Sequence, residues 1–146
     1  MNDTIVTLRG YVGGAVTLRA VGETVVASFR LGSTPRHFNR TSQEWVDDQT
    51  QWFTVSAWRA LGDNCAASLH VGDAVFVHGR MRVSTWVDGN GVERETWEIV
   101  ATTVGHDLTR GTTTFVRPPK SAPTDEPAGE PAGEPAGEPA GEGVAA

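Results

Sequence analysis

The chain lacks several residue types and patterns, and each absence excludes a class of protein. Its 146 residues include a single cysteine, Cys65, which excludes an intramolecular disulfide framework and a cysteine-rich zinc site. No apolar run is long enough to cross a membrane, and the first residues, MNDTIVTLRG, lack the basic and apolar regions of a secretory signal. We therefore expect a cytoplasmic protein with no membrane partner.

Lysine is almost absent, and Lys120 is the only one among 12 basic residues. The other basic residues are arginines, whose guanidinium groups bind phosphate bidentately and stack on flat rings. All 12 lie in residues 1–120, together with 12 of the 18 acidic residues, so the net charge of −6 belongs to residues 121–146. The acidic balance of the whole chain therefore does not argue against an anionic ligand on its main body.

The C-terminal segment has a composition of its own. From Ser121 onward the tetrapeptide EPAG is repeated four times, without aromatic residues and almost without branched apolar ones. Such a segment buries too little surface to offset the entropy of ordering it. We predict a folded domain over residues 1–116 and a disordered acidic tail over residues 117–146. The tail glutamates could compete with phosphate for the arginines of the domain.

Alternating apolar and polar residues predict an all-β domain with one short helix. The resulting order, three strands, one helix and two strands, is that of a five-stranded OB-type barrel, with a five-stranded sandwich carrying a loose helix as the alternative. A polar stretch before the third strand is predicted to form a large hairpin loop. The predicted strands cover residues 4–12, 25–32, 50–58, 74–86 and 96–105, and the helix lies within 59–72, with Gly72 as its stop.

The inward parity of the strands predicts the core. Val75, Val77, Met81 and Val83 alternate inward on the fourth strand, and Trp97 has inward parity on the fifth. Cys65 lies on the apolar stripe of the helix, so we expect a buried thiol, with an intersubunit disulfide as the alternative. The four histidines lie far apart and lack ligand spacing, and no nucleophile motif or dinucleotide-binding loop is present, so we expect no metal, no cofactor and no catalysis.

The outward parity of the same strands gives a different chemistry, in which flat rings alternate with guanidinium groups. Bases stack on such rings while arginines follow the phosphates, so the pattern predicts sequence-independent, salt-sensitive binding of a single-stranded nucleic acid. The alternative is that the aromatic side chains cover a subunit interface or a second hydrophobic layer, and that Arg30 is a solvated or ion-paired residue. The outward residues are Arg9, Arg30, Trp52, Trp58, Arg80, Arg82 and Trp86, and the long loop adds Arg36, Phe38, Arg40 and Trp45.

Five blocks of the chain resemble the bacterial single-stranded DNA-binding proteins, and most of all the second, paralogous type found in high-GC Gram-positive bacteria. The similarity covers residues 1 to about 116 in residue type and spacing. The blocks are VTLRGYVG, ASFRLGSTPRHFNR, TQWFTVSAWRALGDNCAASL, GDAVFVHGRMR and TWVDGNGVERETWEIVATTVG.

The resemblance implies an OB-fold that assembles as a homotetramer and wraps single-stranded DNA in replication, repair, recombination or chromosome segregation. It also implies that Phe38, Trp52, Trp58 and Trp86 stack on bases and that Arg82 occupies a basic position of the family. Base stacking by itself does not read the sugar, so RNA binding stays open, as does an OB-fold that serves as a protein-interaction or assembly module.

The end of the chain departs from the family pattern. The tails of the family usually finish in an acidic tip with an Ile-Pro-Phe-like end that docks replication and repair proteins, whereas this sequence finishes GEGVAA. The resemblance therefore does not carry those partners over to this chain.

Overall fold

The computed structural model of the protein describes residues 2–119. In that range one helix and eight strands are present, most of them in a single sheet. Their bounds are β1 Thr4–Val12, β2 Thr17–Val21, β3 Thr24–Ser33, β4 Arg36–Asn39, β5 Glu44–Asp47, β6 Gln51–Trp58, α1 Ala60–Ser68, β7 Ala74–Val87 and β8 Glu93–His106.

Five of the strands form a closed ring. β1 pairs with β7, β7 with β8, β8 with β6 and β6 with β3, and the ring closes because the end of β1 also pairs with β3 through Tyr11–Gly32 and Val12–Leu31. All these pairings are antiparallel except β6 with β8. In chain order the ring strands and the helix follow the predicted sequence of three strands, one helix and two strands, which confirms the predicted all-β OB-type architecture over the open sandwich.

The core lies inside the ring and is built from the residues of inward parity. The largest side chains that are entirely or almost entirely removed from solvent are aliphatic and come from five ring strands, so alternation is enough to place them. They are Leu31, Ile99, Val12, Val55, Val75 and Val77.

The helix α1 closes one end of the core and is shorter than predicted. A Cβ atom on Gly62 would collide with the carbonyl oxygen of Ala57, so the absence of a side chain allows α1 to lie directly on β6. The helix ends at Ser68 rather than Gly72, because Leu69 turns into an extended conformation and the Asp73 carboxylate accepts the His70 backbone N–H at 3.0 Å. Leu69 nevertheless stays buried.

Two further elements were not predicted from the sequence. β2 pairs with β3 outside the ring, and all five of its residues are exposed, so its alternation of Leu18 and Ala20 with Thr17 and Arg19 does not correspond to a core face. The stretch predicted as a loop contains a two-stranded ribbon, in which Arg36 pairs with Asp47 and Phe38 with Trp45. This β4–β5 ribbon continues from the point where Ser33 of β3 pairs with Gln51 of β6.

Two residues predicted for the core are exposed. Val83 and Trp97 pair with each other across β7 and β8, and 45% and 42% of their surfaces remain accessible. The prediction is wrong because the β7–β8 hairpin continues beyond the ring, where none of the described residues forms a second layer over its inner face. A bulge between His78 and Gly79 lies before this extension.

The compact unit that contains the ring reaches Thr113, and residues 107–119 contain neither helix nor strand. The predicted disorder of the tail falls on residues 120–146, which lie outside the described residues, so the boundary at residue 116 stays a prediction. Within the described range, no helix combines the length and the hydropathy needed to cross a membrane.

Candidate nucleic-acid interface

The outer face of β6 carries the two tryptophans that the sequence places among hydroxyl side chains. Trp52 pairs with Gly32 on β3, and Trp58 pairs with Val26. The tryptophans are 47% and 39% exposed, whereas their inward neighbours Phe53 and Ala57 belong to the core. The parity of the strand is therefore confirmed, and both indoles are open to a flat ligand.

Glycines hold the indole of Trp52 close to the sheet. A Cβ atom on Gly32 would lie 3.0 Å from Cζ3 of this ring, and one on Gly13 would lie 2.5 Å from the same atom. The ring therefore lies over backbone that has no side chains. Arg30 Cζ lies 5.5 Å from the ring centroid, at a distance where a cation attracts the ring. Arg30 also donates to Thr54 Oγ1 at 3.4 Å.

A row of polar side chains crosses four ring strands beside Trp52. Register places Arg82 of β7 opposite Glu98 of β8, Glu98 beside Thr54 of β6, and Thr54 opposite Arg30 of β3. Arg82 Nε donates to Glu98 Oε2 at 3.4 Å, and the buried Ser56 donates to Glu98 Oε1 at 3.1 Å. The outer face is therefore continuous from β7 to β3, with two guanidinium groups and one carboxylate in a single row.

Glu98 was missed as a member of this surface. Its outward parity, between the inward Trp97 and Ile99, is visible in the sequence, but the interpretation in terms of bases and phosphates selected only rings and cations. The structure places its carboxylate between Arg82 and Ser56. The positive charge of Arg82 on this surface is thus partly neutralised by the carboxylate of Glu98.

Arg80 and Trp86 extend the same face along β7. Arg80 is exposed and pairs in register with Val100. Trp86 lies on the part of the β7–β8 hairpin beyond the ring, where its Nε1–H donates to Thr96 Oγ1 at 3.0 Å. This hydrogen bond holds one edge of the indole and leaves the ring partly exposed.

The β4–β5 ribbon brings a second aromatic pair and an ion pair onto one of its faces. The rings of Phe38 and Trp45 meet edge to face, with centroids 5.7 Å apart, and both are exposed. Arg36 Nε lies 2.8 Å from Asp47 Oδ1. Arg40 is exposed in the turn of the ribbon. The structure therefore places Trp45, a residue of the predicted loop, beside Phe38.

Arg9 has outward parity on β1 and is held by the segment that follows β8. Its Nη2 donates to Asp107 Oδ2 at 2.9 Å and to Thr109 Oγ1 at 3.1 Å, which ties β1 to the segment after β8. Thr109, through its hydroxyl and its backbone N–H, and then Arg9 lower the pKa of Asp107 to about 2. Of the predicted cations, Arg9, Arg36 and Arg82 are thus engaged with carboxylates in this structure.

Cys65 and the histidines engage other parts of the protein: Cys65 is buried, His37 contacts Asp48, His70 and His106 contact Asp73, and His78 contacts Thr7. Cys65 is buried beneath α1, and burial raises the pKa of its thiol to about 11. His106 Nε2 lies 3.1 Å from Asp73 Oδ2. The hydrogen bond from the His70 backbone N–H, followed by the interactions with His106, lowers the pKa of Asp73. Among residues 2–119, no group of three or more His, Cys, Asp or Glu side chains is arranged to hold a metal ion.

Comparisons with known proteins agree with this geometry. The model of the single-strand binding protein family matches residues 3–107. Single-stranded DNA-binding protein 2 of Streptomyces avermitilis is 45% identical over 121 residues, which cover 81% of this chain and 74% of that protein. Single-stranded DNA-binding protein 2 of Tropheryma whipplei is 47% identical over 90 residues, 62% of this chain and 58% of that protein.

A solved structure gives the same relationship in three dimensions. The small single-stranded DNA-binding protein from Streptomyces coelicolor matches with a TM-score of 0.70 and 39% sequence identity, covering 76% of this chain and all of that one. The resemblance inferred from the residues, including that to the second type of these proteins, is confirmed. The chain belongs to the single-strand binding protein family.

Proposed function

We propose that this chain binds single-stranded DNA without sequence preference and without catalysing a reaction. The observation that supports it best is the outer face of the ring, where the exposed indoles of Trp52 and Trp58 lie beside the guanidinium group of Arg30. Every base has a π face, so stacking on these rings is independent of sequence, and each stack contributes about 1–3 kcal/mol.

In this proposal the predicted residues divide into two kinds. The aromatic ones stack on bases: Phe38 on the ribbon, Trp52 and Trp58 on β6, and Trp86 on the hairpin. The arginines bind phosphate, and Arg30, Arg40 and Arg80 are better placed than those paired with carboxylates, because Arg9, Arg36 and Arg82 must first leave Asp107, Asp47 and Glu98. Phosphate binding releases counterions, so affinity falls as salt rises.

The protein as a whole is proposed to be a cytoplasmic homotetramer that serves DNA replication, repair, recombination or chromosome segregation. Family membership supports the assembly and the processes. The exposed apolar side chains on the inner face of the hairpin extension, Val83, Val87 and Trp97, support burial against another copy of the chain. Residues 1–116 form the binding domain in this proposal, and residues 117–146 form its acidic tail.

The first test is a titration with oligo(dT) of increasing length, followed by tryptophan emission at low and high salt. Duplex DNA and an RNA of matched sequence are the controls for strandedness and sugar. We expect strong quenching by the single strand that is reduced in Trp52→Ala and Trp58→Ala. No quenching at low salt would contradict the proposal and would favour a surface covered by another protein.

The tail proposal has its own test. If the tail glutamates compete with phosphate for the arginines, removing residues 121–146 tightens binding at low salt and has less effect at high salt. Unchanged affinity at low salt would contradict this competition without affecting the proposal for the domain.

A further inference from the structure

Tyr11 is an exposed aromatic residue that the proposed binding surface does not include. It lies at the end of β1 with outward parity and is 48% exposed. Its register partners are Gly32 on β3 and Ala74 on β7, which have no side chain and a single methyl group. The phenol ring of Tyr11 is therefore not flanked by a bulky side chain at either of its register partners.

Grooves lie on both sides of this ring. One has a volume of about 510 Å³ and reaches His70 and His106, and the other has a volume of about 190 Å³ and reaches Ser33 and Thr34 at the base of the ribbon. Tyr11 and Arg110 line both grooves. An aromatic ring and a guanidinium group thus share one depression, which is the combination that a nucleotide requires.

The acidic groups of this depression are already engaged. Asp107 accepts hydrogen bonds from Arg9 and Thr109, at 2.9 Å and 2.7 Å, and Asp73 lies 3.1 Å from His106 Nε2. The side chain of Arg110 is exposed and makes no hydrogen bond or ion pair with the described residues. The backbone N–H of Arg110 donates to the carbonyl oxygen of Asp107 at 3.0 Å. The two carboxylates are therefore engaged with other groups of the protein, and the guanidinium group of Arg110 is available to a phosphate.

The depression is continuous with the face of Trp52. Gly32 is the register partner of both Trp52 and Tyr11, so the two rings flank one glycine in a single row across three strands. Two strand spacings separate their backbones by about 10 Å. The indole of Trp52 also lies over Gly32 and Gly13, so it leans across the glycines toward β1.

We infer that Tyr11 and Arg110 form an additional nucleotide subsite, which extends the path of the single strand from Trp52 across Gly32 into these grooves. This inference rests on the proposed function and names a further part of the same surface. A base stacks on the ring of Tyr11, and Arg110 binds the phosphate on its 5′ or 3′ side.

The test compares Tyr11→Ala, Tyr11→Phe and Arg110→Gln with the unchanged chain and with Trp52→Ala. Each is titrated with oligo(dT) of increasing length at several salt concentrations. We expect Tyr11→Ala to weaken binding of the longer oligonucleotides about fivefold or more, and Tyr11→Phe, which keeps the ring, to bind within about twofold of the unchanged chain. Arg110→Gln should lower the salt dependence by about one phosphate contact.

A second measurement does not depend on the folding of any variant. Oligonucleotides that carry one 5-iodouracil are irradiated in complex with the unchanged chain, and the crosslinked peptides are mapped by mass spectrometry. We expect crosslinks in the peptide that contains Tyr11 as well as in the one that contains Trp52. Crosslinks at Trp52 without any at Tyr11 would overturn the subsite.

The outcomes separate this inference from the proposed function. If the unchanged chain does not bind or Trp52→Ala binds equally well, the proposed function fails. If Trp52→Ala weakens binding and Tyr11→Ala does not, only the subsite fails. Sedimentation of each variant completes the comparison, because a change of mass in Tyr11→Ala with unchanged affinity per chain would assign the ring to an interface between copies and overturn the subsite.

Discussion

The β7–β8 hairpin has two halves that share one ladder of backbone hydrogen bonds and differ in what lies beneath them. One half, which we call proximal, belongs to the ring of strands and covers residues 74–81 and 99–106. Its inner face carries Val75, Val77 and Ile99, all inaccessible to solvent. In the distal half (residues 82–87 and 93–98) the inner face carries Val83 and Trp97, which are exposed. Pairing continues through both halves, from Val75–His106 to Val87–Glu93, with one shift of register at the bulge between His78 and Gly79.

The two halves are therefore stabilised by different interactions. Apolar burial, at roughly 25 cal/mol per Å², stabilises the proximal half, whereas the distal half is held by backbone pairing and by side-chain hydrogen bonds. Asp88 accepts the backbone N–H groups of Asn90 and Val92 and the side chain of Arg94, all at 2.8–3.0 Å. The proximal half forms part of the core, and the distal half presents two open faces.

The largest expected effect compares one residue type in the two halves. Val77 and Val83 lie on the same strand with the same parity, and only Val77 is fully buried. We expect Val77→Ala to lower the free energy of unfolding by about 2–3 kcal/mol, from lost burial and the cavity left behind. Val83→Ala should lower it by less than about 1 kcal/mol, because it removes a cross-strand contact at an exposed site.

Urea unfolding at several protein concentrations measures this difference. Equal losses in both variants would contradict the division of the hairpin. A loss in Val83→Ala that depends on protein concentration would assign that loss to the interface of the proposed homotetramer rather than to the fold of the single chain.

The second comparison uses the two faces of the distal half. Trp86 and Trp97 are similarly exposed, but only Trp86 shares the outward parity of Trp52 and Arg82. We expect Trp86→Ala to weaken binding of oligo(dT) by about 1–3 kcal/mol, the value of one base stack. Trp97→Ala, compared at a concentration where sedimentation shows the same assembly as the unchanged chain, should change binding by less than about 0.5 kcal/mol. Fluorescence anisotropy with a labelled oligonucleotide measures both. Equal losses of affinity in the two variants would show that an exposed tryptophan binds the oligonucleotide whichever face of the hairpin it lies on.

These halves also show why the sequence predicted some features and missed others. A period of two identifies the face of a side chain but not the depth of material beneath it. Trp52 and Trp58 were placed correctly because the interior of the five-stranded ring beneath β6 is filled by core side chains. Trp97 was misplaced because the ring of strands ends before its position. In β2 the alternation of Leu18 and Ala20 with Thr17 and Arg19 is visible, but the strand has only five residues, all exposed, and was not predicted.

Contacts between residues that are distant in sequence could not be predicted from the alternation of apolar and polar residues. Arg9 has outward parity, yet its carboxylate partner Asp107 lies 98 positions away and meets it only because β1 and β8 both flank β7. The same holds for Tyr11, whose surroundings depend on Gly32 and Ala74 from two other strands. By contrast, the outward parity of Glu98 is visible in the sequence, where it lies between the inward Trp97 and Ile99.

A smaller effect is expected at Glu98, where the two halves meet. Glu98→Gln keeps an acceptor for the Ser56 hydroxyl and removes the charge that holds Arg82. We expect affinity for oligo(dT) at low salt to rise up to about fivefold, since an exposed ion pair contributes about 0.2–1 kcal/mol. The salt dependence should steepen by about one phosphate contact as Arg82 becomes available.

Glu95→Gln is the matched control for this substitution, because it removes the same charge from the inner face of the distal half, where Glu95 pairs with Thr85. It should have a smaller effect at low salt and none on the number of phosphate contacts. Weaker binding by Glu98→Gln would contradict the prediction and would mean that the carboxylate orients Arg82 toward the strand.

The smallest effect concerns the carboxylates at the two ends of the hairpin. Thr109 and Arg9 lower the pKa of Asp107 to about 2, and the backbone N–H of Val92 with Arg94 lowers the pKa of Asp88. A carboxyl group whose pKa is lower in the folded state contributes stability above its unfolded pKa of about 3.9, and the contribution is lost as the pH falls through the folded value. For Asp107 that window runs from about pH 4 down to about pH 2.

The two positions should nevertheless respond differently, because Asp107 joins β1 to the segment after β8 and Asp88 joins residues within one turn. We expect Asp107→Asn to lower the urea midpoint of global unfolding at neutral pH, with the difference from the unchanged chain vanishing as the pH falls through the window. Asp88→Asn should leave the global midpoint nearly unchanged and should speed amide exchange at Asn90 and Val92, whose N–H groups it holds. A global loss in Asp88→Asn as large as that in Asp107→Asn would show that the distal half unfolds together with the ring, and that the hairpin is one cooperative unit despite its uncovered inner face.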